Sequence, residues 1–503
     1  MNESHNKSIK ERPAGYEALI AKYELVVFPH WHRSFVATSG THRIDITPNT
    51  TEEIYPSKYW PGDSLGDHLE FAIKYDGTNL AILASIFSTA PQNEFLDYVK
   101  SRPTGKYARR LWFLYEFLTG KILPLDNLKQ GNYIDLLDSE RYYTINPARP
   151  VQRQRINDNL IGDKRFCPTV RRTDTLRDFE KEDLTKRCQK IVSAYSPELL
   201  KRALSYLYTK ESKSSFEIEN IKPNSTRTER FIAMLHLAKE EDFCEKSHLI
   251  DLQNRIVDPR FCDSNYRKSQ NYVGESIAWQ KEKVHFVCPK PEDLESLMEG
   301  LIAAHLRMDK GQVPAVIHAA AVAYGFVFLH PFEDGNGRIH RFLIHNILAR
   351  HSFTPNGIMF PVSASMLKDP ALYDASLEAF STPLMSLVEY VINEDGRMTV
   401  HNDTAQWYAY IDMTTQTEKL FHFIKQTIDM ELVEELSFLV KYDATKKAIQ
   451  KIVDMPDQQI DLFIRFCIQN SGRLSARKRS SQFDFLSEDE IARMEQVVQS
   501  TYS

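Results

Sequence analysis

The sequence predicts a mainly α protein. Helix-spaced apolar residues recur from the middle of the chain to its end, a single hairpin pattern interrupts them, and the first 185 residues read as a mixed or mostly helical region. Apolar side chains at i, i+3, i+4 and i+7 line one face of a helix, whereas a strand repeats every second residue. The chain has 503 residues, 42% of them hydrophobic and 26% charged, as in a globular protein of two or three domains. The formal net charge of −5 carries no overall nucleic-acid signature. The expected divisions are 1–185, 186–395 and 396–503.

In the first region, Glu70–Ser88 mixes apolar and polar positions around one glycine. Arg109–Leu118 is amphipathic and strongly apolar, and Ile122–Gln130 reads as a loop. The stretch Arg153–Arg187 is dense in arginine and lysine and reads first as a solvated linker, with a solvated helix face or a target-docking surface as alternatives. His30 and His32 would share a strand face, but with no carboxylate or thiol beside them in the sequence they are expected to bind no metal. The polar start, Met1–Pro13, has no apolar core of a signal peptide. Cys167, Cys188, Cys244, Cys262, Cys288 and Cys467 are scattered without zinc spacing, which fits a reduced, cytoplasmic setting.

In the middle region, Ser214-Ser215-Phe216-Glu217-Ile218-Glu219-Asn220 admits two readings. Ser214 and Glu217 match a capping box at a helix start. Alternatively Ser215 and Glu219, four apart, share one helix face. Val273–Trp279 and Lys283–Val287 are β-prone and flank Gln280–Glu282, a hairpin pattern. Pro289 and Pro291 end it before a helix at about Glu292–Arg307. The apolar run Val313–Leu329 contains His318 and is short for a membrane span, so it is expected in a core.

There follows His-Pro-Phe-Glu-Asp-Gly-Asn-Gly-Arg-Ile-His-Arg, residues 330–341, the chemically richest stretch of the chain. Gly335 and Gly337 let the backbone turn and approach a ligand, and Asn336 between them tolerates the left-handed region. Ile339, Phe342, Leu343, Ile347 and Leu348 then have helix spacing, so the loop feeds a helix N-terminus, where backbone N–H groups and the helix dipole favour phosphate. Arg338 and Arg341 lie on one face and can clamp separate phosphates. Asp334 is suited to hold Mg²⁺ through a carboxylate beside those phosphates. His330 is placed to take a proton from an attacking hydroxyl, and Phe332 to pin the loop to the core.

The last region reads as helices at Leu420–Val440, Ala444–Val453, Gln458–Gln469 and Ser487–Ser500. A basic turn, Arg473–Arg479, precedes the last of them. A helix–basic turn–helix unit admits a DNA-binding, transcription-regulating alternative. The overall charge argues for an exposed loop instead.

The dodecapeptide resembles the signature of the Fic/Doc family, His-x-Phe-x-Asp/Glu-Gly-Asn-Gly/Lys-Arg-x-x-Arg, at every fixed position. The resemblance, strongest from about 200 to 390, implies an all-helical core. It implies transfer of a nucleotide monophosphate, usually AMP from ATP, to a Ser, Thr or Tyr hydroxyl of a protein, itself included. His330 would be the base and Asp334 the Mg²⁺ ligand. Gly335, Asn336 and Gly337 would form the anion hole, with Arg338 and Arg341 on the phosphates. Gly337 stands where the phosphate-transferring branch has lysine. Ser215, Glu219 and Asn220 resemble the family's inhibitory helix, at about 212–222, and Glu219 would then engage Arg341. The hairpin at 273–287 would be a flap that pairs with the target, and Tyr373 a nucleobase-pocket residue. De-AMPylation, or transfer of another nucleotide, is the alternative activity on the same site. A homo-oligomer is compatible with this reading.

Overall fold

A computed structural model describes residues 11–47, 50–278, 281–354 and 358–502. The start of the chain up to Lys10, and Trp279 and Gln280 of the expected hairpin, lie outside the described residues. Most described segments are α-helical, and the strands are short. Contacts divide the chain into two units. One comprises Met1–Glu182, Glu219–Phe353 and Lys368–His422, and the other Asp183–Ile218, Thr354–Leu367 and Phe423–Ser503.

The first unit begins with a four-stranded sheet. Its strands, in spatial order, are Glu11–Ala14, His32–Ala37, Thr51–Tyr55 and Arg43–Ile46. The central pair is parallel, with His32 opposite Thr51, and both outer pairs are antiparallel. Helices Leu65–Phe71, Leu80–Thr89, Gln92–Ser101 and Lys106–Thr119 follow, and Leu69, Ile82, Phe95, Leu111 and Trp112 share one buried core. This region is therefore mixed α and β.

The stretch Arg153–Arg187 is not a solvated linker. Ile156, Leu160, Phe166, Cys167 and Val170 are fully buried. Its arginines find partners around that core: Arg153 with Glu116 at 3.0 Å, Arg171 with Asp412 at 2.9 Å and Arg172 with Glu180 at 3.0 Å. Charge density misled because an arginine stem can lie on apolar surface while its guanidinium pairs at the rim.

Helix Ala315–Leu329 is almost entirely apolar and almost entirely buried, as a helix surrounded on all sides must be. Helix Pro291–Lys310 precedes it and helix Asn336–Arg350 follows. Asn346, fully buried on the last, donates to Ala238 O at 2.7 Å and Glu241 O at 2.8 Å and accepts from Phe243 N–H at 3.3 Å. Phe342 packs edge-on against Phe243, ring centres 4.9 Å apart. These contacts fix the axis of the helix on which the loop is mounted.

The hairpin forms from Tyr272–Ala278 and Lys281–Val287, antiparallel, with Tyr272 opposite Val287. Lys281 and Glu282 thus belong to the second strand rather than the turn. The base is anchored by buried Phe286, which meets Phe328 and Phe380, and by Tyr408, whose hydroxyl donates to Val287 O at 2.5 Å.

The second unit is helical. Pro197–Glu217, Leu432–Gln450, Asp457–Gln469, Ala476–Gln482 and Glu488–Tyr502 are its main elements. Leu432–Gln450 runs unbroken through the gap expected between 440 and 444. The expected basic turn contains the short helix Ala476–Gln482, capped by Ser475. Within it Arg479 pairs with Glu488 at 2.6 Å. Ser214 and Glu217 lie at the C-terminal end of Pro197–Glu217, so they form no capping box at a helix start.

Among the described residues no helix is long and apolar enough to cross a membrane.

Candidate active site

His330 terminates helix Ala315–Leu329 in the left-handed conformation, φ 49° and ψ 59°. That turn throws the chain out of the core and into the loop. Arg267, which sequence reasoning missed, holds the turn. Its Nε donates to His330 O at 2.8 Å, its Nη1 to Ser269 O at 2.8 Å and its Nη2 to Pro289 O at 2.7 Å, while its backbone N–H donates to Pro331 O at 2.8 Å. Nothing local marks Arg267, because apart from Ser269 O its partners are backbone carbonyls distant in sequence.

His330 Nδ1 lies 3.3 Å from Val327 O. A carbonyl only accepts, so Nδ1 carries the proton and Nε2 keeps its lone pair. Burial, with the Arg267 guanidinium nearby, lowers the imidazole to about 4. It is therefore a neutral base at neutral pH.

Phe332 is fully buried and meets Tyr266 edge-on at 5.8 Å. Asn336 ties the loop to itself, accepting from Phe332 N–H at 3.0 Å and donating to Phe332 O at 2.7 Å. It is the first helical residue. The left-handed conformation belongs instead to Gly335, φ +91°, where a β-carbon would also meet Val257 at 2.9 Å. Ile339 N–H is bonded to Gly335 O, so the N–H groups of Asn336 and Gly337 precede the first intrahelical bond and have no acceptor within the helix.

Arg338 and Arg341 are both buried, and the structure brings them to one carboxylate. Glu219 Oε2 is 2.8 Å from Arg338 Nε, and Glu219 Oε1 is 2.7 Å from Arg341 Nη2. Arg338 also meets Asp334 Oδ1 at 2.5 Å and donates to Ile256 O at 3.1 Å. Glu219 lies so close over the helix start that a β-carbon on Gly337 would sit 2.5 Å from its Oε1. A carboxylate thus occupies the position that the helix N-terminus and two arginines suit for an anion.

Glu219 reaches this position from a turn. Helix Pro197–Glu217 stops before it, and Asn220 adopts φ +56°. An i, i+4 face shared by Ser215 and Glu219 is therefore not what positions the glutamate. Asparagine at 220 suits the left-handed exit that turns the chain. Ser215 is buried on the preceding helix, in the other unit.

Tyr373, on helix Pro370–Met385, is buried against the same arginine, its hydroxyl 3.5 Å from Arg341 Nη1. Its ring lies 6.3 Å from His340. In this arrangement it faces the arginine cluster.

Asp334 is partly exposed. Oδ1 accepts from Gly335 N–H at 2.6 Å and meets Arg338, whereas Oδ2 has no hydrogen-bond partner among the described residues. Asp263 and Glu333 lie beside it, and Asp263 is raised from the usual carboxylate range by burial and by those two charges. One tied oxygen, one outward oxygen and an acidic surround suit a hard cation such as Mg²⁺.

His30 and His32 have partners that the sequence did not suggest. His30 Nε2 is 3.1 Å from Asp76 O, and His32 lies between Glu53 at 2.8 Å and Asp76 at 3.4 Å.

Residues 243–348 match the Fic/DOC family. "Protein adenylyltransferase Fic" of Nematostella vectensis is 36% identical over 95 residues, 19% of this chain and 20% of that protein. The protein of the same name from Culex quinquefasciatus is 33% identical over 125 residues, 24% of this chain and 22% of its own length. The chain thus spans about a fifth of the curated relatives it matches. A Fic domain containing signaling protein from Bacteroides thetaiotaomicron is 20% identical over 52% of this chain and 95% of its own, with TM-score 0.36. Fic-1 (residues 134–508) from C. elegans is 14% identical over 74% of this chain and 92% of its own, with TM-score 0.33. The family match stops short of Glu219 on one side and Tyr373 on the other.

Proposed function

We propose that this chain, which carries a Fic/DOC-family domain at residues 243–348, is a protein adenylyltransferase that Glu219 holds inactive. The observation that carries the proposal is the double engagement of Glu219 by Arg338 and Arg341 over the N-terminus of Asn336–Arg350. An anion is already seated where the polyphosphate of ATP would be bound.

With Glu219 withdrawn, the two guanidinium groups and the amides of Asn336 and Gly337 bind phosphate oxygens. A Ser, Thr or Tyr hydroxyl of the target attacks the α-phosphorus in line. The new O–P bond forms as the bond to the β-phosphate bridging oxygen breaks, and pyrophosphate leaves. The hydroxyl proton goes to His330 Nε2. Nδ1, held by Val327 O, and the backbone, held by Arg267, keep the ring in place. Asp334 would hold Mg²⁺, which when bound neutralises phosphate charge. The hairpin at 273–287 offers a strand edge for an extended target segment, by β-augmentation.

The test is mass spectrometry of the Glu219→Gly protein incubated with ATP and Mg²⁺, alone and in a lysate. The expected result is an AMP adduct on the protein itself or on a target, and no adduct when His330→Ala is added. No adduct on any protein would overturn the proposal. Adducts of UMP or GMP, formed only with UTP or GTP, would keep the site chemistry and change the donor.

A further inference from the structure

Away from the loop, the same unit contains a row of imidazoles. His305, on Pro291–Lys310, and His318, on Ala315–Leu329, are buried, and His351 follows Asn336–Arg350. His305 Nε2 lies 3.0 Å from Asp242 Oδ2, His305 Nδ1 lies 2.9 Å from His318 Nε2, and His318 Nδ1 lies 2.9 Å from His351 Nε2. Asp309 Oδ1 stands 3.9 Å from His351 Nε2.

The carboxylate at one end sets the direction of this chain. Asp242 Oδ2 accepts from Arg350 Nη1 at 2.8 Å, which uses the hydrogen that the guanidinium could otherwise offer His305 Nε2 at 3.1 Å; the carboxylate then also accepts from His305 Nε2–H, and His305 Nδ1 is a lone pair. His318 Nε2–H then donates to that lone pair, which leaves His318 Nδ1 as a second lone pair aimed at His351. A neutral imidazole with its far N–H held through a histidine to a carboxylate is the arrangement that orients and strengthens a metal ligand.

We propose that His318 Nδ1, His351 Nε2 and Asp309 form a binding site for a divalent transition-metal cation of the zinc class, oriented from behind by His305 and Asp242. The ligand atoms of these three residues all lie within 4.8 Å of one another. Zinc–nitrogen bonds of about 2.05 Å in tetrahedral geometry place two nitrogens about 3.3 Å apart, so the pair at 2.9 Å needs to open by a few tenths of an ångström.

Asp242, Cys244 and His305 are equally clustered, but Arg350 Nη1 stands 2.8 Å from Asp242 and 3.1 Å from His305 Nε2, whereas the same guanidinium reaches Asp309 only at 3.8 Å, through Nη2 to Oδ2, and leaves Oδ1 to face His351. That cation, hydrogen-bonded to the Asp242 carboxylate, competes with a metal there. The site is remote from the proposed transfer chemistry and does not rest on it.

The test is titration of full-length, chelator-stripped protein with zinc chloride by calorimetry, with cobalt chloride as the spectroscopic probe. One Zn²⁺ per chain is expected. Asp309→Asn and His351→Gln, both at partly exposed positions, should weaken binding at least tenfold, and Asp242→Asn by about 10–100-fold. Co²⁺ should give tetrahedral visible bands without thiolate-to-metal absorption. The inference is overturned by absence of binding, or by binding that Asp309→Asn and His351→Gln leave unchanged. A thiolate band on the wild-type protein, which would place the ion on Cys244, also overturns it.

Discussion

Replacing Glu219 with glutamine removes one negative charge and keeps the shape. In the structure that charge makes two short contacts, 2.8 Å to Arg338 and 2.7 Å to Arg341. Hydrogen bonds between charged groups are each worth about 1.5–3 kcal/mol. The two arginines do not lose equally. Arg338 keeps Asp334 at 2.5 Å and Ile256 O at 3.1 Å, whereas Arg341 keeps the neutral Tyr373 hydroxyl at 3.5 Å. The Glu219 side chain is 26% exposed, so water replaces part of what is lost. The expected cost is about 2 kcal/mol, carried mainly by Arg341, and a fall in Tm of a few degrees. The same energy opposes nucleotide binding in the wild type, because ATP must displace the carboxylate. ATP affinity should therefore rise at least tenfold, since about 1.4 kcal/mol is a factor of ten. Calorimetric ATP titration and thermal melting, with and without ATP, read both effects. The variant should melt lower without nucleotide and gain more on adding it. Unchanged melting and unchanged ATP affinity would refute the idea that Glu219 occupies the phosphate site.

His330→Ala should abolish transfer while leaving ATP affinity within about threefold, as measured by the same titration, because the imidazole meets the proton rather than the phosphates. Arg267→Gln should cost about 2 kcal/mol, since it strands the carbonyls of His330 and Pro289, and should lower kcat more than it raises KM for ATP. The rate should show no His330 titration between pH 6 and 8 and should fall as pH approaches about 4, where the ring protonates. Stability follows the same sign: an imidazole lowered on folding binds more protons in the unfolded chain. Stability contributed by His330 is therefore lost as pH falls from about 6.5 toward 4, by up to about 1.4 kcal/mol per pH unit, and pH-dependent denaturant melts of wild type and His330→Ala should differ in that window.

The parts of the loop were legible in the sequence because they are contiguous: a histidine, a carboxylate, glycines and two arginines on one helix turn. Helix Asn336–Arg350 and the hairpin followed from local periodicity. What escaped was tertiary. Arg267 acts through carbonyls distant in the chain, and no periodicity marks it. Glu219 was visible as a motif residue, but its position past a helix end, and its hold on Arg338 as well as Arg341, depend on the turn at Asn220. The basic stretch at 153–187 misled for the opposite reason. Its charges are visible in sequence, while the buried Ile156, Phe166 and Val170 between them show their burial only once the chain has folded. Of the two glycines expected to turn the chain, Gly335 takes the left-handed conformation, and Asn336, which could tolerate it, is helical because its side chain bonds Phe332.

The most direct measurement of the central claim is label transfer by the Glu219→Gly protein from ATP labelled at the α-phosphate, compared with ATP labelled at the γ-phosphate. Protein-bound label is expected from the α position alone, lost in the Glu219→Gly, His330→Ala double variant and far weaker in the wild type. Label arriving from the γ position would contradict AMP transfer. Equal α-label in wild type and Glu219→Gly would contradict inhibition by Glu219.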